Sequence, residues 1–483
     1  MNPKSICVVG GGTAGLIAAI ILKRRLDIEV SVIYSSSIGI IGVGEGSTEH
    51  WKEFMDFVGI DQQTLIKECD ATYKSGIMFE NWGEQPFLHA VGLPFVKKFS
   101  QYSYIYANQI SKKSNYISPS NLWHSKINQW FLTNPTEFPA NQFHFNTQKL
   151  NNFLMKLADK FNITLIDDEI EDVLLDGTSG CIRSLKGKKS TYTYDFYIDS
   201  TGFKRLLIDK MGAKWQSYKK YLKMKSAIVF PTGDEENYNM WTLAKAMNYG
   251  WRFKIPVWGR HGNGYIYDSD YTTADQAKQE VESELGKEIE VSKHFNFDPG
   301  ALDKAWIKNC VAIGLSGSFV EPLEASSIGT SIQQAFLLMH RLPNYNEQVI
   351  NSYNKSFNDI MINIRDFIVL HYQTKKTNTD FWKDASNLEL PDSLQSKLEI
   401  WKYKLPIAED FNDRSDYIMF TAANHIMILD GLDMFDRGAI QHELDMHYPY
   451  IKEDADNAIQ CQLNLENTAD FITHKNYLAK IKF

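Results

Sequence analysis

Three glycines stand near the start of the chain in the spacing Gly-x-Gly-x-x-Gly: Gly10, Gly12 and Gly15. They follow the apolar run Ser5 to Val9 and precede a segment of helical pattern. In that setting each glycine has a job. The first permits a tight turn, the second lets backbone approach a pyrophosphate, and the third lets helix and strand pack closely. The phosphate then rests on the helix N-terminus, where free N–H groups favour an anion. The chemistry implied is dinucleotide binding; the alternative is a glycine turn in an unrelated α/β domain. One usual element is missing. The acid expected at the end of the second strand, where it would hold a ribose hydroxyl, is replaced by Tyr34 or Ser35 in VIYSSS. The ribose is then held by a hydroxyl, or the cofactor binds loosely, as suits a flavin that arrives by diffusion.

Three further segments suit a flavin better than a nicotinamide. GVGEGST (Gly42 to Thr48) is a second glycine-rich loop able to lie along a cofactor. DSTGFKRLL (Asp199 to Leu207) places an acid, small residues and Gly202 after a strand. AIGLSGSFVEPLE (Ala312 to Glu324) carries Gly314 between a late strand and a helix start. Each alone reads as a turn. Their order matches the FAD-binding fold, in which beginning and end of the chain both touch the cofactor.

The elements that must position these loops follow from periodicity. Residues 5–9 read as a buried strand, 14–25 as a helix and 30–34 as a second strand, a β-α-β unit. Residues 48–80 read as largely helical. Residues 81–140 are aromatic and Asn/Ser-rich without a clean period, an insertion over a site. A helix is expected over 147–160, a small sheet with hairpins over 163–200, and more strands over 226–295. A strand over 310–313 leads to a helix near 326–341, and the C-terminal 140 or so residues are mostly helical without a readable motif. The fold class is α/β: a Rossmann-like FAD-binding module of the flavin monooxygenase type, interleaved with a second sheet and followed by a helical region. The expected division is a discontinuous FAD module (1–85, 140–215, 296–345), a substrate side (86–139, 216–295) and a helical C-terminal region (346–483).

Composition narrows the function classes. The 483 residues are 43 % hydrophobic and 23 % charged, ordinary for a globular protein. Fifty-one basic against 59 acidic residues give a net charge of −8, a poor match for a nucleic-acid binder. Five scattered cysteines form no CxxC or zinc spacing, and their odd number argues against a disulfide framework; no metal site is expected. The apolar stretch Leu16 to Leu22 is far short of the roughly 20 residues a membrane span needs. With no signal-peptide pattern, a cytoplasmic enzyme without membrane partners is expected.

The ordered set GGGTAG, GVGEG, DATYKSGIMFENW, GWRFKIP and VEPLEASSIG resembles the flavin-dependent halogenases of the tryptophan halogenase type over roughly residues 4–340. The resemblance implies an enzyme using FADH2 from a separate flavin reductase, oxygen and a halide. The flavin C4a-hydroperoxide is attacked by chloride, bromide or iodide, and the hypohalous acid travels to a lysine. An electron-rich, indole-type arene is then halogenated. The family lysine matches Lys74, and the family glutamate, which orients the reagent and removes the ring proton, matches Glu324; Glu321 reads as structural. Cofactor contacts implied are Gly10, Gly12, Thr13, Ala14, Gly15 and Tyr34, then Gly42, Val43, Gly44 and Glu45, then Asp199, Gly202, Gly314 and Leu323. The family's backbone halide site falls on Ser326 and Ser327. Its tryptophan motif, which crowds the space beside the flavin, matches Trp251, Phe253, Ile255 and Pro256, and Ser47 joins the tunnel.

The sequence departs from the family at Phe253 for a second tryptophan, Ala325 for a serine and Ser327 for a glycine. Free tryptophan and chloride are therefore not assumed; an imperfect halide site would favour the more easily oxidised bromide and iodide, and the halide order itself is not legible in the sequence. The rivals are a flavin-dependent aromatic hydroxylase, which does not need Lys74 joined to Glu324, and an idle FAD-binding scaffold. Oligomeric state is not legible; a homo-oligomer is left open.

Overall fold

The computed structural model describes residues 2–40, 45–90, 105, 142–411, 418–447, 451–457, 460 and 472–483. Ser5–Val9 is a strand whose interior residues are all buried. It lies in the middle of a six-stranded sheet ordered Trp306–Ile307, Cys310–Ala312, Phe196–Asp199, Ser5–Val9, Glu29–Tyr34, Thr164–Asp167. All neighbours are parallel except the Trp306–Ile307 edge. Parallel strands need crossovers that cover the sheet faces, which explains their near-continuous apolar runs.

The first crossover is the nucleotide helix, Thr13–Arg25. Every residue from Gly15 to Leu22 in it is buried, because it packs on the sheet and against the Ser326–Arg341 helix. This is why the run Leu16 to Leu22 is apolar all round. Among the described residues no helix is long and apolar enough to cross a membrane.

A second, seven-stranded sheet runs Lys293–Asn296, Ser226–Thr232, Arg260–Tyr267, Gly250–Val257, Trp241–Met247, Gly76–Glu80, Phe87–Ala90. Here the expectation for residues 48–80 is corrected. Two helices, His50–Val58 and Gln62–Cys69, are present, but the chain leaves helix at Asp70, in left-handed conformation with φ 50°. Thr72–Tyr73 and Gly76–Glu80 are strands. The partner of Gly76–Glu80 is Trp241–Met247, held in parallel register far along the chain. No local periodicity could announce that pairing. A second correction concerns 226–295, where Ala274–Leu285 is a helix closed by a Thr273/Gln276 capping box and Gly286.

The helix over Thr147–Lys160 and the helix over Ser326–Arg341 stand where periodicity puts them. The C-terminal region is helical, led by the 25-residue helix Glu347–His371. Residues 42–44, 91–104 and 106–139 of the expected glycine loop and insertion lie outside the described residues.

Candidate active site

At the nucleotide end the site is made of backbone. Gly10 has φ +117°, and a Cβ there would stand 2.1 Å from the Ser200 carbonyl oxygen. Its N–H donates to the Ile33 carbonyl at 2.8 Å, fixing the turn between the first two strands. Gly15 presses on that turn: a Cβ would meet the Gly10 carbonyl at 2.1 Å. Gly12 differs, since a Cβ there would meet nothing within 4 Å. It caps the nucleotide helix with no side-chain hydrogen bond and no acid in the first turn. Gly12 thus leaves the positive end of the helix dipole, beside Thr13 and Ala14, without a side chain of its own in the way, which fits a pyrophosphate.

The late loop closes on the same spot. Gly314 has φ +72°, and a Cβ on it would lie 2.6 Å from the Ala14 Cβ. Asp199 ties the pieces together. Its Oδ1 accepts from the Thr201 N–H (3.0 Å), the Thr201 hydroxyl (2.8 Å) and the Ser316 hydroxyl (3.1 Å). Its Oδ2 accepts from the N–H groups of Leu207 and Ile208 at 2.8 and 2.9 Å. Asp199 is thus a fully buried brace. Gly202 sits in the braced turn at φ +69°, its carbonyl accepting from Ser316. Tyr34 ends the second strand with its Cβ against Gly11, level with Asp167, which is engaged by the N–H and hydroxyl of Ser36.

At the other end the site is made of side chains. Lys74 lies between two short strands and is buried. Its Nζ donates to the Ser47 carbonyl at 2.8 Å, and its own N–H to the Gln142 carbonyl at 3.0 Å. Burial pushes the amine down to about 8, against the pull of the Glu324 and Glu49 carboxylates. Glu324 ends a single 3-10 turn, Pro322–Glu324, and shares a cavity of about 250 Å³ with Lys74. The two are not hydrogen-bonded to each other; each is held by other groups.

Glu324 is held by two imidazoles. His89 Nδ1 approaches Oε2 at 2.8 Å and His371 Nε2 approaches Oε1 at 2.8 Å. The network fixes the protons. Asn424 Oδ1 accepts from the N–H and hydroxyl of Thr421 at 2.7 and 2.9 Å, so its Nδ2 donates to His89 Nε2 at 3.0 Å. His89 is therefore the Nδ1–H tautomer and donates to Glu324. His371 Nδ1–H donates to the Phe367 carbonyl at 2.7 Å, so one proton lies between His371 Nε2 and Glu324 Oε1. Burial alone would push the Glu324 carboxyl up, but the two imidazoles outweigh it and hold the group at about 2. Three residues earlier Glu321 goes the other way. It is buried beside Tyr372 and Trp251 with no cation, and burial pushes it up to about 8. One turn thus carries an ionised and a neutral carboxyl, set apart by environment.

Ala325 follows in left-handed conformation (φ 53°) and caps the next helix without a side-chain hydrogen bond. The first residues of that helix, Ser326 and Ser327, line a pocket of about 20 Å³ with Gly314 and Thr330, room for one small ion or water. Leu323 is buried in the turn. Gly46, Lys74 and Ala325 converge: a Cβ on Gly46 would lie 3.3 Å from the Ala325 Cβ and 3.6 Å from Lys74 Cδ. Glu45 pairs through its backbone with Phe145.

Trp251, Phe253, Ile255 and Pro256 stand apart from the described lining of the lysine cavity. Trp251 and Phe253 share one strand face, their ring centroids 6.1 Å apart, and both are buried. Pro256 reaches the site only indirectly, its carbonyl accepting from the Thr72 hydroxyl two residues before Lys74. Sequence reasoning missed Glu49, His89, Gln142, His371 and Asn424. No spacing links them; they come from five separate stretches that meet only in the fold.

Comparison with known proteins places the whole chain. The tryptophan halogenase family matches residues 5–444. Tryptophan 6-halogenase SttH of Streptomyces toxytricini is 29 % identical, with 85 % of this chain and 86 % of that protein covered. The 7-chloro-L-tryptophan 6-halogenase KtzR of Kutzneria sp. is 30 % identical, covering 83 % and 86 %. Among solved structures, Xcc4156, a flavin-dependent halogenase from Xanthomonas campestris, superposes with a TM-score of 0.87 at 25 % identity over 100 % of this chain and 99 % of that one. With a family match over residues 5–444 and a relative 30 % identical over most of its length, the chain belongs to the tryptophan halogenase family.

Proposed function

We propose that this protein is an FADH2-dependent halogenase of electron-rich, indole-type arenes, with Lys74 and Glu324 as its catalytic residues. Bound reduced flavin, supplied by a separate reductase, provides with oxygen and halide the electrophilic halogen as hypohalous acid. The observation that carries the reading is a buried lysine, its amine pushed down to about 8, in one cavity with an ionised glutamate.

Gly10, Gly12 and Gly15 with the Thr13 and Ala14 N–H groups hold the pyrophosphate. Gly314 brings the late loop to the same helix end, and the first turn of the Ser326–Arg341 helix offers Ser326 and Ser327 N–H groups to the halide. The Ser47 carbonyl holds Lys74 Nζ in place. In its free-amine form Nζ takes the halogen from hypohalous acid, releasing water and forming a haloamine. The N–halogen bond breaks as the halogen passes to the ring; the ring proton leaves to Glu324 and from there reaches the Lys74 nitrogen, which regains its amine form. A carboxylate held near 2 is a weak base, yet a halogenated arenium ion is a far stronger acid than any carboxylic acid, so the transfer runs downhill. An ionised Glu324 also offsets the positive charge the ring develops.

The test is a reductase-coupled assay with FAD, NADH, oxygen and each of chloride, bromide and iodide on a panel of indoles and phenols. Mass spectrometry separates halogenated from hydroxylated product, with catalase present. Halogenated product should fall by about a thousandfold in Lys74→Ala while reduced flavin is still consumed. Hydroxylated product, or halogenation indifferent to the substitution, overturns the reading.

A further inference from the structure

The cavity wall carries a second carboxylate that no reaction step uses. Glu49 stands at the cavity edge, exposed, beside Lys74 and Glu324. The one partner its carboxylate has among the described residues is the Gln142 amide, which donates to Oε2 at 3.1 Å. Glu324 is answered by two imidazoles, and the Lys74 amine already donates to the Ser47 carbonyl. Among the described residues that line the cavity, Lys74 is the only lysine or arginine. The described wall thus holds two carboxylates and one lysine, and the exposed Glu49 carboxylate keeps acceptor capacity beyond its bond to Gln142. The rest of the described lining mixes neutral polar groups (Thr48, His89, Gln142, Thr421, Asn424) with apolar residues, Phe420 and Met427 among them.

We propose that Glu49 is a substrate-recognition residue and that the substrate is an arene bearing a protonated aliphatic amine, ring against Phe420 and Met427 and ammonium on Glu49. The inference rests on the halogenase reading and narrows its substrate class. An ammonium can give Glu49 charge-assisted hydrogen bonds that a neutral donor cannot match. A substrate carboxylate would face two like charges, and among the described lining residues the only lysine or arginine it could meet is Lys74, the group that must stay free to carry halogen. Complementarity of this kind sets specificity more than raw affinity. An arylalkylamine is therefore selected over the corresponding acid, and a zwitterionic amino acid falls between.

Three probes share one ring and differ in charge: tryptamine, skatole and indolepropionic acid. The reductase-coupled assay gives kcat/KM for each with wild type, Glu49→Gln and Glu49→Lys. The ratio of tryptamine to indolepropionic acid cancels any common effect on Lys74. It should be about tenfold or more in wild type, fall toward one in Glu49→Gln and invert in Glu49→Lys. Binding without turnover, followed by saturation-transfer NMR, should show tryptamine weakened by salt and skatole indifferent to it. A wild-type ratio near one, or a ratio unmoved by Glu49→Gln, overturns the proposal. Wild-type protein that halogenates none of the three, skatole included, overturns the halogenase reading instead. In that event the NMR comparison still decides the ammonium site: tryptamine bound no better than indolepropionic acid removes it.

Discussion

The nucleotide end and the lysine end of this molecule are built from different material. The first is backbone: a turn that only glycine can make at Gly10, an uncapped helix end, and a late glycine loop resting on Ala14. The second is side chain: Lys74 between strands, Glu324 on a 3-10 turn, His89 on a sheet edge, and His371 as the last residue of a long helix. A backbone site depends on conformation within a dozen residues. A side-chain site depends on distant elements being held in register. The two ends should therefore fail differently when changed.

The largest expected effect is at Gly10. An alanine there must adopt φ +117° with its Cβ in the Ser200 carbonyl. Both contacts are backbone, so nothing flexible can yield. We expect Gly10→Ala to cost about 4 kcal/mol or more and to give little folded protein. Gly12→Ala should do the opposite. Its φ of −75° suits alanine and its Cβ meets open space, so the melting temperature should stay within a few degrees. The methyl would stand where the phosphate approaches, and flavin affinity should fall by about tenfold. Thermal melts and flavin titration on the two variants check both. Equal melting temperatures, or equal flavin affinities, would remove the distinction between a turn-making and a phosphate-facing glycine.

The next effect belongs to the side-chain end. Glu324 faces His89 from the strand Phe87–Ala90, His371 from the helix Glu347–His371, and Lys74 across the cavity. Replacing His371 by phenylalanine removes one of the two imidazoles that overcome burial, so the carboxyl should rise. The ionised form is then lost as pH falls, where wild type stays ionised to about 2. The rate of His371→Phe relative to wild type should drop about tenfold or more at neutral pH and recover as pH rises. His371→Gln, which keeps an N–H donor toward Oε1, should lose much less. A relative rate that is flat across pH would show that His371 acts through packing alone.

The same contrast decides what could be read from the sequence. The nucleotide loop is local, and its glycines, strand and helix are legible within the first 34 residues. The Ser326–Arg341 helix is equally plain from its apolar period. The strands at Thr72–Tyr73 and Gly76–Glu80 are not, because their partners lie at Phe143–Phe145 and Trp241–Met247. The helix at Ala274–Leu285 did leave a signal, Thr273 and Gln276 before it and Gly286 after it. The imidazoles around Glu324 left none. A histidine at the end of one helix and another on a short strand are ordinary until the chain brings both to one carboxylate. The position of Lys74 beside Glu324 came from resemblance to a family; its buried environment came only from the fold.

The smallest expected effect is the pH response of Lys74. Its amine sits at about 8 because burial disfavours the ammonium more than Glu324 and Glu49 favour it. If the free amine carries the halogen, the active fraction grows tenfold per pH unit below that value and levels above it. Wild-type kcat/KM for the arene, at saturating halide and fixed supply of reduced flavin, should therefore rise from neutral pH and flatten beyond about 8. Glu49→Gln removes one of the two carboxylates favouring the ammonium, so its plateau should begin at lower pH. A rate that instead falls through this range would mean that the ammonium, donating to hypohalous acid, is the working form. Lys74 would then hold the reagent rather than carry the halogen, and the side-chain end would act by positioning, as the backbone end does.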